Sequence, residues 1–535
     1  MENLPMSKSA DLIILNARIF TSDENNPHAE AVAVKGNRIV YVGDTKGARE
    51  WQGSRTRTID GKGRTLTPGI IDSHFHLLWG AIWLGTAQLQ EVKNLDELKD
   101  VLQDFANETK TSLWVVGRGI KYNIVSTCKE LDVMIPDRPV YVEAYDGHTA
   151  WTNTKALEMA GLMDKDANVP QNANIVRDEN GLPSGELRET NAMDLVYNLV
   201  PEPDANRKRE LLKLALKRIN ASGITSIHNM NGDMEETLFY TALEDAGEMT
   251  LRLYVPYWIK PETNEEDLQE AVEMAKIQSD YIRGGAVKFF MDGVWESYTA
   301  LTIEPYADDQ SVKPEGIYSA AHFTRMAAAC DKLGLQIFVH CCGDGAVRRV
   351  LDGYESIQQL NGKRNSRHRV EHIEVIHPDD TPRFKQLGVI ASMQTSHAPF
   401  SISTGDVWLA RVGEKRWPFS FAWRDIKNAG VHLTLGSDWM VAPFDPMLNI
   451  HVAINREKWS PNHPDQRLTL EEVILGYTRD AAYAEFQEHL KGQLKEGYLA
   501  DMVLFSEDIF EIPSEEILRA KVVMTIVDGK IVFEA

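Results

Sequence analysis

The chain has 535 residues, 43% of them hydrophobic and 25% charged, an ordinary globular balance in a length that allows more than one domain. Its formal net charge of −22 opposes nucleic acid and anionic membrane as partners, because phosphate recognition needs a basic face. The N-terminus lacks a basic segment leading into a long apolar core, and no apolar run approaches the roughly 20 residues of a membrane span, so a cytoplasmic protein acting on a small molecule is expected.

Residues 11–68 alternate like strands: DLIILNARIFT, then AVAVKGNRIVYVGD around a Gly36-Asn37 turn, then RTIDGKGRTLTPG. The chain's end repeats that style, with Asp528-Gly529 as a hairpin turn in KVVMTIVDGKIVFEA. Neither end has enough strands for its own core. Residues 1–68 and 485–535 are therefore expected to combine into one composite β-sandwich domain. Between them the period changes. Asn94 is placed to cap a helix whose Leu95, Leu98, Val101, Leu102 and Phe105 share a face. Four later segments each run helix, glycine, strand, with Gly223, Gly334, Gly388 and Gly430 suited to the left-handed position that ends a helix. Repeated units of this kind build a parallel sheet with helical crossovers. Candidate strands at 69–76, 224–228, 250–257, 286–292, 336–340, 369–373, 389–394 and 431–436 predict an α/β fold, a TIM-like (β/α)8 barrel over 69–484. Residues 110–200 are too long for a barrel connection and hold strands of their own, so they read as a subdomain inserted after the first strand, over the barrel mouth. Cys128, Cys330, Cys341 and Cys342 match no Cys-x-x-Cys zinc spacing and read as reduced, buried thiols.

The stretch TPGIIDSHFHLLWG carries the first chemical signal. In a strand His74 and His76 point the same way, and two imidazoles at the end of a buried strand make half of a metal site. Barrel chemistry sits at the C-terminal ends of strands. Those ends carry a consistent set: His74 and His76 on the first, Lys288 on the fourth, His340 on the fifth, His372 on the sixth and Asp438 after the eighth. One such histidine alone is more often a packed core residue, but several at equivalent positions are hard to reach by chance. Lys288 lies between Ala286-Val287 and Phe289-Phe290, a poor setting for a surface charge. His148, His228 and His397 are candidates to touch substrate or orient ligands. Trp79, Trp295 and Trp439, each just past a ligand-bearing strand end, are candidate walls for an apolar substrate group.

The blocks PGIIDSHFH, DGHTAWTNTKALEMAG, VKFFMDG, FVHCCGDGA, RVEHIEV, LGSDWMVAP and GYLADMVLF, in this order, resemble the metal-dependent amidohydrolase superfamily and, within it, amidohydrolase family 3, the YtcJ-like group. The resemblance spans nearly the whole chain. It implies two divalent metal ions, zinc being expected, with His74 and His76 on one and His340 and His372 on the other. A carboxylated Lys288 would bridge the ions, and Asp438 would bind the first ion and a bridging hydroxide, serving as the catalytic proton carrier. The group includes a deformylase of N-substituted formamides, so the resemblance points to hydrolysis of a non-peptide C–N bond in an N-acyl or N-formyl amine. A cyclic amide, an ester, a deamination substrate and a catalytically silent regulatory role stay open, as does a homodimer.

Overall fold

In the computed structural model, which describes residues 8–535 other than 111, 146, 148, 165–168, 170–173, 189 and 403–406, the helix–glycine–strand grammar resolves into an eight-stranded parallel sheet. Its strands are β1 (Ile70–Phe75), β2 (Ile224–Asn229), β3 (Arg252–Trp258), β4 (Ile282–Phe290), β5 (Gln336–Cys341), β6 (Arg369–His372), β7 (Ile390–Met393) and β8 (Leu433–Leu435), each paired with the next in chain order. The residues after β8 return to β1: Asp438 N–H donates to the His74 carbonyl at 2.8 Å, and His76 N–H to the Trp439 carbonyl at 2.8 Å. The sheet is thereby almost closed into a barrel. The glycines expected to stop the preceding helices do so, with φ of 84° at Gly223, 83° at Gly334, 69° at Gly388 and 72° at Gly430.

The described chain divides into two compact units. The first joins residues through His76 to Leu216–Ala535 and contains the barrel together with two smaller sheets. One of these has four strands, in the order Arg38–Gly43, Ala31–Lys35, Leu12–Leu15, Arg57–Asp60. The other has six and draws on both chain ends: Lys530–Glu534, Val522–Val527 and Met502–Phe505 continue into Thr65–Pro68, Arg18–Phe20 and His28–Ala29. The joint is antiparallel, Met502 opposite Pro68 and Leu504 opposite Leu66. Alternation supplies the apolar face: Ile14, Ile19, Val34, Leu66, Met502, Leu504 and Ile526 are buried in one cluster. A buried ion pair fastens this region to the barrel. Arg252 of β3 donates to Asp501 at 2.7 and 3.1 Å and to Asp528 at 3.1 Å.

The second unit is Leu77–Ala215. Its sheet runs Asn174–Arg177, Pro183–Arg188, Thr149–Thr152, Val140–Ala144, Val115–Ile120, Ala87–Gln88. Asn94 caps the helix Leu95–Glu108 by accepting from Glu97 N–H. The buried face of that helix, Leu98, Leu102 and Ala106, packs with Val115, Val140 and Val142 of the sheet. The unit therefore starts at Leu77, ahead of the 110–200 stretch that the sequence sets apart, because the amphipathic helix belongs to this sheet's core.

All four cysteines are buried and unpaired. Among the described residues no helix is long and apolar enough to cross a membrane.

Candidate metal centre

The closure of β8 onto β1 assembles the first part of the site. Gly436 makes the closure feasible, since a Cβ there would lie 2.5 Å from His74 N and 2.8 Å from Asp72 Oδ1. Asp72 spans the same seam, accepting from the backbone N–H of both His74 and Ser437. The chain then passes through a left-handed residue, Asp438, at φ 62°. Asp438 Oδ1 lies 3.4 Å from His74 Nε2 and 3.3 Å from His76 Nε2. On its other side Oδ2 lies 3.8 Å from His397 Nε2 and 3.9 Å from His372 Nδ1. Two groups therefore have ligand atoms within 4.8 Å of one another: His74, His76 and Asp438, and His372, His397 and Asp438. The His340 ring sits beside that of His372, centroid to centroid 4.3 Å. Lys288 is wholly buried, and its Nζ has no hydrogen-bond partner among the described residues.

The lone pairs of the four expected histidine ligands are set by what holds each ring. His74 Nδ1 is 2.8 Å from Glu371 Oε2, and His76 Nδ1 is 2.8 Å from Asn231 Oδ1. His372 Nδ1 is 2.8 Å from Gln394 Oε1, and His340 Nε2 is 3.1 Å from the Gly293 carbonyl. Each of these partners is an oxygen acceptor, so the facing nitrogen carries the proton and the lone pair falls on the other nitrogen. For His74 and His76 that other nitrogen is the one nearest Asp438; for His372 it is a buried Nε2 with no partner among the described residues. Neutral imidazoles oriented by carboxylate, amide and carbonyl oxygens are the usual construction of a metal-binding histidine set.

The electrostatics agree. Burial, and then the nearby Lys288 ammonium, lower His74 to about 3 and His340 to about 4. His372 is held well below its ordinary value by burial and by its histidine neighbours. Burial opposes ionisation of Asp438, but the surrounding imidazoles overcome it and keep the carboxyl well below the usual range. Burial lowers Lys288 to about 8, against the pull of Glu371 and Asp438. A set of neutral imidazoles, one carboxylate and one easily deprotonated buried amine suits zinc and similar borderline divalent ions.

The remaining expectations divide. His397 joins the cluster. His228 does not: its Nδ1 accepts from Arg369 at 2.7 Å and its Nε2 lies 3.3 Å from Glu485, so it braces the barrel interior. His148 lies outside the described residues. Trp295 is wholly buried, its indole N–H donating to the Cys342 carbonyl at 3.1 Å and its ring packed on Tyr306 and Trp408. That corrects its reading as an open pocket wall. Trp439 is buried against Phe75 and Phe444. Trp79 is 39% exposed on the helix Leu77–Leu84 of the second unit.

The residues that orient the ligands, Glu371, Asn231, Gln394 and Asp72, escape the sequence reading. Only Glu371 had a signal, as the inward partner two positions from Arg369 on a short strand. Asp292 follows β4 and lies 3.8 Å from His340 Nε2. It accepts from Leu301, Cys342 and Gly343 N–H, and burial still lifts it to about 7.

Comparison with known proteins agrees with this architecture. The amidohydrolase family model matches residues 57–533. The protein LONG AFTER FAR-RED 3 of Arabidopsis thaliana is 30% identical over 98% of this chain and 92% of its own. The N-substituted formamide deformylase of Arthrobacter pascens is 27% identical over 99% of both. The crystal structure of an uncharacterized metal-dependent hydrolase from Pyrococcus furiosus superposes with a TM-score of 0.75, at 25% identity over 92% of this chain and 98% of that one. With its family model covering most of its length and a histidine–aspartate cluster in its nearly closed barrel, the chain belongs to the amidohydrolase family.

Proposed function

We propose that this protein is a metal-dependent hydrolase that cleaves the non-peptide C–N bond of an N-acyl or N-formyl amine. The carrying observation is the cluster itself: His74, His76 and His372 lie around Asp438 with His340 beside His372, and each ring has an oxygen acceptor at one nitrogen. The ligands of this reading are His74, His76, Lys288, His340, His372 and Asp438. Bound divalent ions, zinc in this reading, would supply Lewis acidity to the substrate carbonyl and lower the pKa of water. The protein supplies the rest. Asp438, ionised and within reach of both halves of the cluster, accepts the proton of the attacking water and returns it to the departing amine. Lys288, as a neutral amine, takes up CO2 and loses a proton, and the carbamate so formed offers one oxygen to each side of the site. Two close dications repel strongly, so an anionic group between them favours their joint binding. The preference for formyl and acyl amines rests on the deformylase relative, which matches over 99% of both chains.

The test is a hydrolysis screen of zinc-loaded protein against N-formyl amines, N-acyl amines, cyclic amides, esters and aminopurines. Release of formate or carboxylate with a primary amine is the expected result. Turnover of only the last three classes would overturn the N-acyl and N-formyl amine reading and keep the hydrolase. A zinc-loaded protein inert toward every class would favour a regulatory member.

A further inference from the structure

Arg369 is a wholly buried guanidinium inside the barrel, and the metal-centre reading does not use it. Its Nε and Nη2 grip both oxygens of Glu371 at 2.8 and 2.9 Å. Nη2 also donates to the Ser73 carbonyl at 2.6 Å and to Ser392 Oγ at 2.9 Å, while Nη1 donates to His228 Nδ1 at 2.7 Å. The guanidinium plane lies over Phe338, 4.1 Å from the ring centroid. Arg369 therefore touches β1, β2, β5, β6 and β7 at once, and Glu371 cannot rotate without breaking that lattice. The His228 contact is directional as well. Arginine only donates, so His228 must accept at Nδ1 and present its Nε2–H toward Glu485, 3.3 Å away. Glu485 is held in turn by Lys491 at 2.8 Å.

We propose that Arg369 is a positioning residue: by clamping Glu371 it fixes the proton of His74 on Nδ1 and so keeps the Nε2 lone pair directed at Asp438. The inference rests on the metal-centre reading for its purpose, though the tautomer itself can be read without any ion. Glu371 has one oxygen, Oε2, shared between Arg369 and His74. An amide in its place has a single oxygen. Set against Arg369 Nε, it turns its NH2 toward His74, which would then accept at Nδ1 and carry its proton on Nε2, where the lone pair is needed; set at the Oε2 position, it keeps His74 but turns its NH2 against Nε and breaks the clamp.

The experiment compares wild type with Glu371→Gln, Arg369→Met and the double variant Arg369→Met/Glu371→Gln. Histidine-selective 15N NMR on metal-free protein should show His74 protonated at Nδ1 in wild type and at Nε2 in Glu371→Gln. Chelator competition should show zinc binding weakened about 10- to 100-fold in Glu371→Gln, the range for removing a group that orients a ligand. The cobalt-substituted visible spectrum should change with it. Arg369→Met strands a buried carboxylate and is expected to melt early. The double variant removes that charge and should recover the melting temperature without recovering zinc affinity. A purely structural role for Arg369 would restore both together. Nδ1 protonation with wild-type zinc affinity in Glu371→Gln would overturn the inference. A wild type with the expected tautomer that binds no zinc would instead overturn the metal-centre reading and leave the clamp standing.

Discussion

Two buried polar clusters in the barrel unit, built from similar residue types, have opposite character. At the seam with the terminal sheet, Arg252 meets Asp501, Asp528 and the Asp280 carbonyl, and Asp501 also accepts from Asp528 N–H. Every donor there has an acceptor. At the mouth, Lys288 Nζ, His372 Nε2 and His397 Nε2 are buried atoms that have no hydrogen-bond partner among the described residues. Burying a polar group without a partner costs roughly 1–3 kcal/mol each, and the mouth adds left-handed backbone at His372 (φ 70°), Ile373 (φ 52°) and Asp438 (φ 62°). Strain and unsatisfied groups persist where the surrounding structure over-determines them for a purpose. The seam is built to hold the fold, and the mouth is built to hold something else.

That contrast can be broken most decisively at Asp438. Asp438→Asn should lower turnover of the best substrate from the screen by about 10²- to 10⁴-fold, the range for a lost acid–base group, with little change in the melting curve. A similar loss of stability would make Asp438 a seam-like residue. The converse is expected at the seam: Arg252→Met strands Asp501 and Asp528 and should cost about 3–5 kcal/mol in urea denaturation, while zinc bound per folded chain stays unchanged.

Much of this architecture is legible in the sequence, for particular reasons. The helix–glycine–strand segments were readable because a left-handed glycine ends each of four helices, at Gly223, Gly334, Gly388 and Gly430. The strand-end histidines were readable because equivalent positions of parallel strands share one end of a barrel. What lay hidden was conformation at single residues. Strand alternation puts Glu371 and His372 on opposite faces, yet the left-handed turn at His372 and Ile373 brings His372 to the mouth while Glu371 faces His74 from within. Asn231 and Gln394, which set two tautomers, lie just beyond β2 and β7, where sequence carries no period. Trp295 shares its spacing with the pocket candidates, and only packing reveals it as core.

Gly436 sharpens the comparison at a third place, where fold and site meet. Gly436→Ala forces its Cβ against the His74 backbone and Asp72. Overpacking of this kind costs about 1–3 kcal/mol, and here zinc affinity should fall along with stability. Stability lost with zinc affinity intact would separate the seam of β8 and β1 from the site.

The smallest expected effect concerns Lys288. Burial lowers its ammonium to about 8, so the neutral amine that takes up CO2 grows as pH rises through that value. Zinc reconstitution of metal-free protein should then depend on bicarbonate and improve as pH rises from about 7 to about 9. In Lys288→Arg, which stays charged, both dependences should vanish. Bicarbonate-independent loading of the wild type would leave Lys288 a plain amine.

In the proposed function the histidine–aspartate cluster at the mouth binds metal. Anomalous diffraction at the zinc edge, on crystals of zinc-loaded protein, tests it most directly. The expected result is a peak about 2.0–2.1 Å from His74 Nε2 and His76 Nε2, in contact with Asp438 and lost in His76→Ala. A fully loaded crystal whose anomalous peaks all lie away from these three side chains would contradict it.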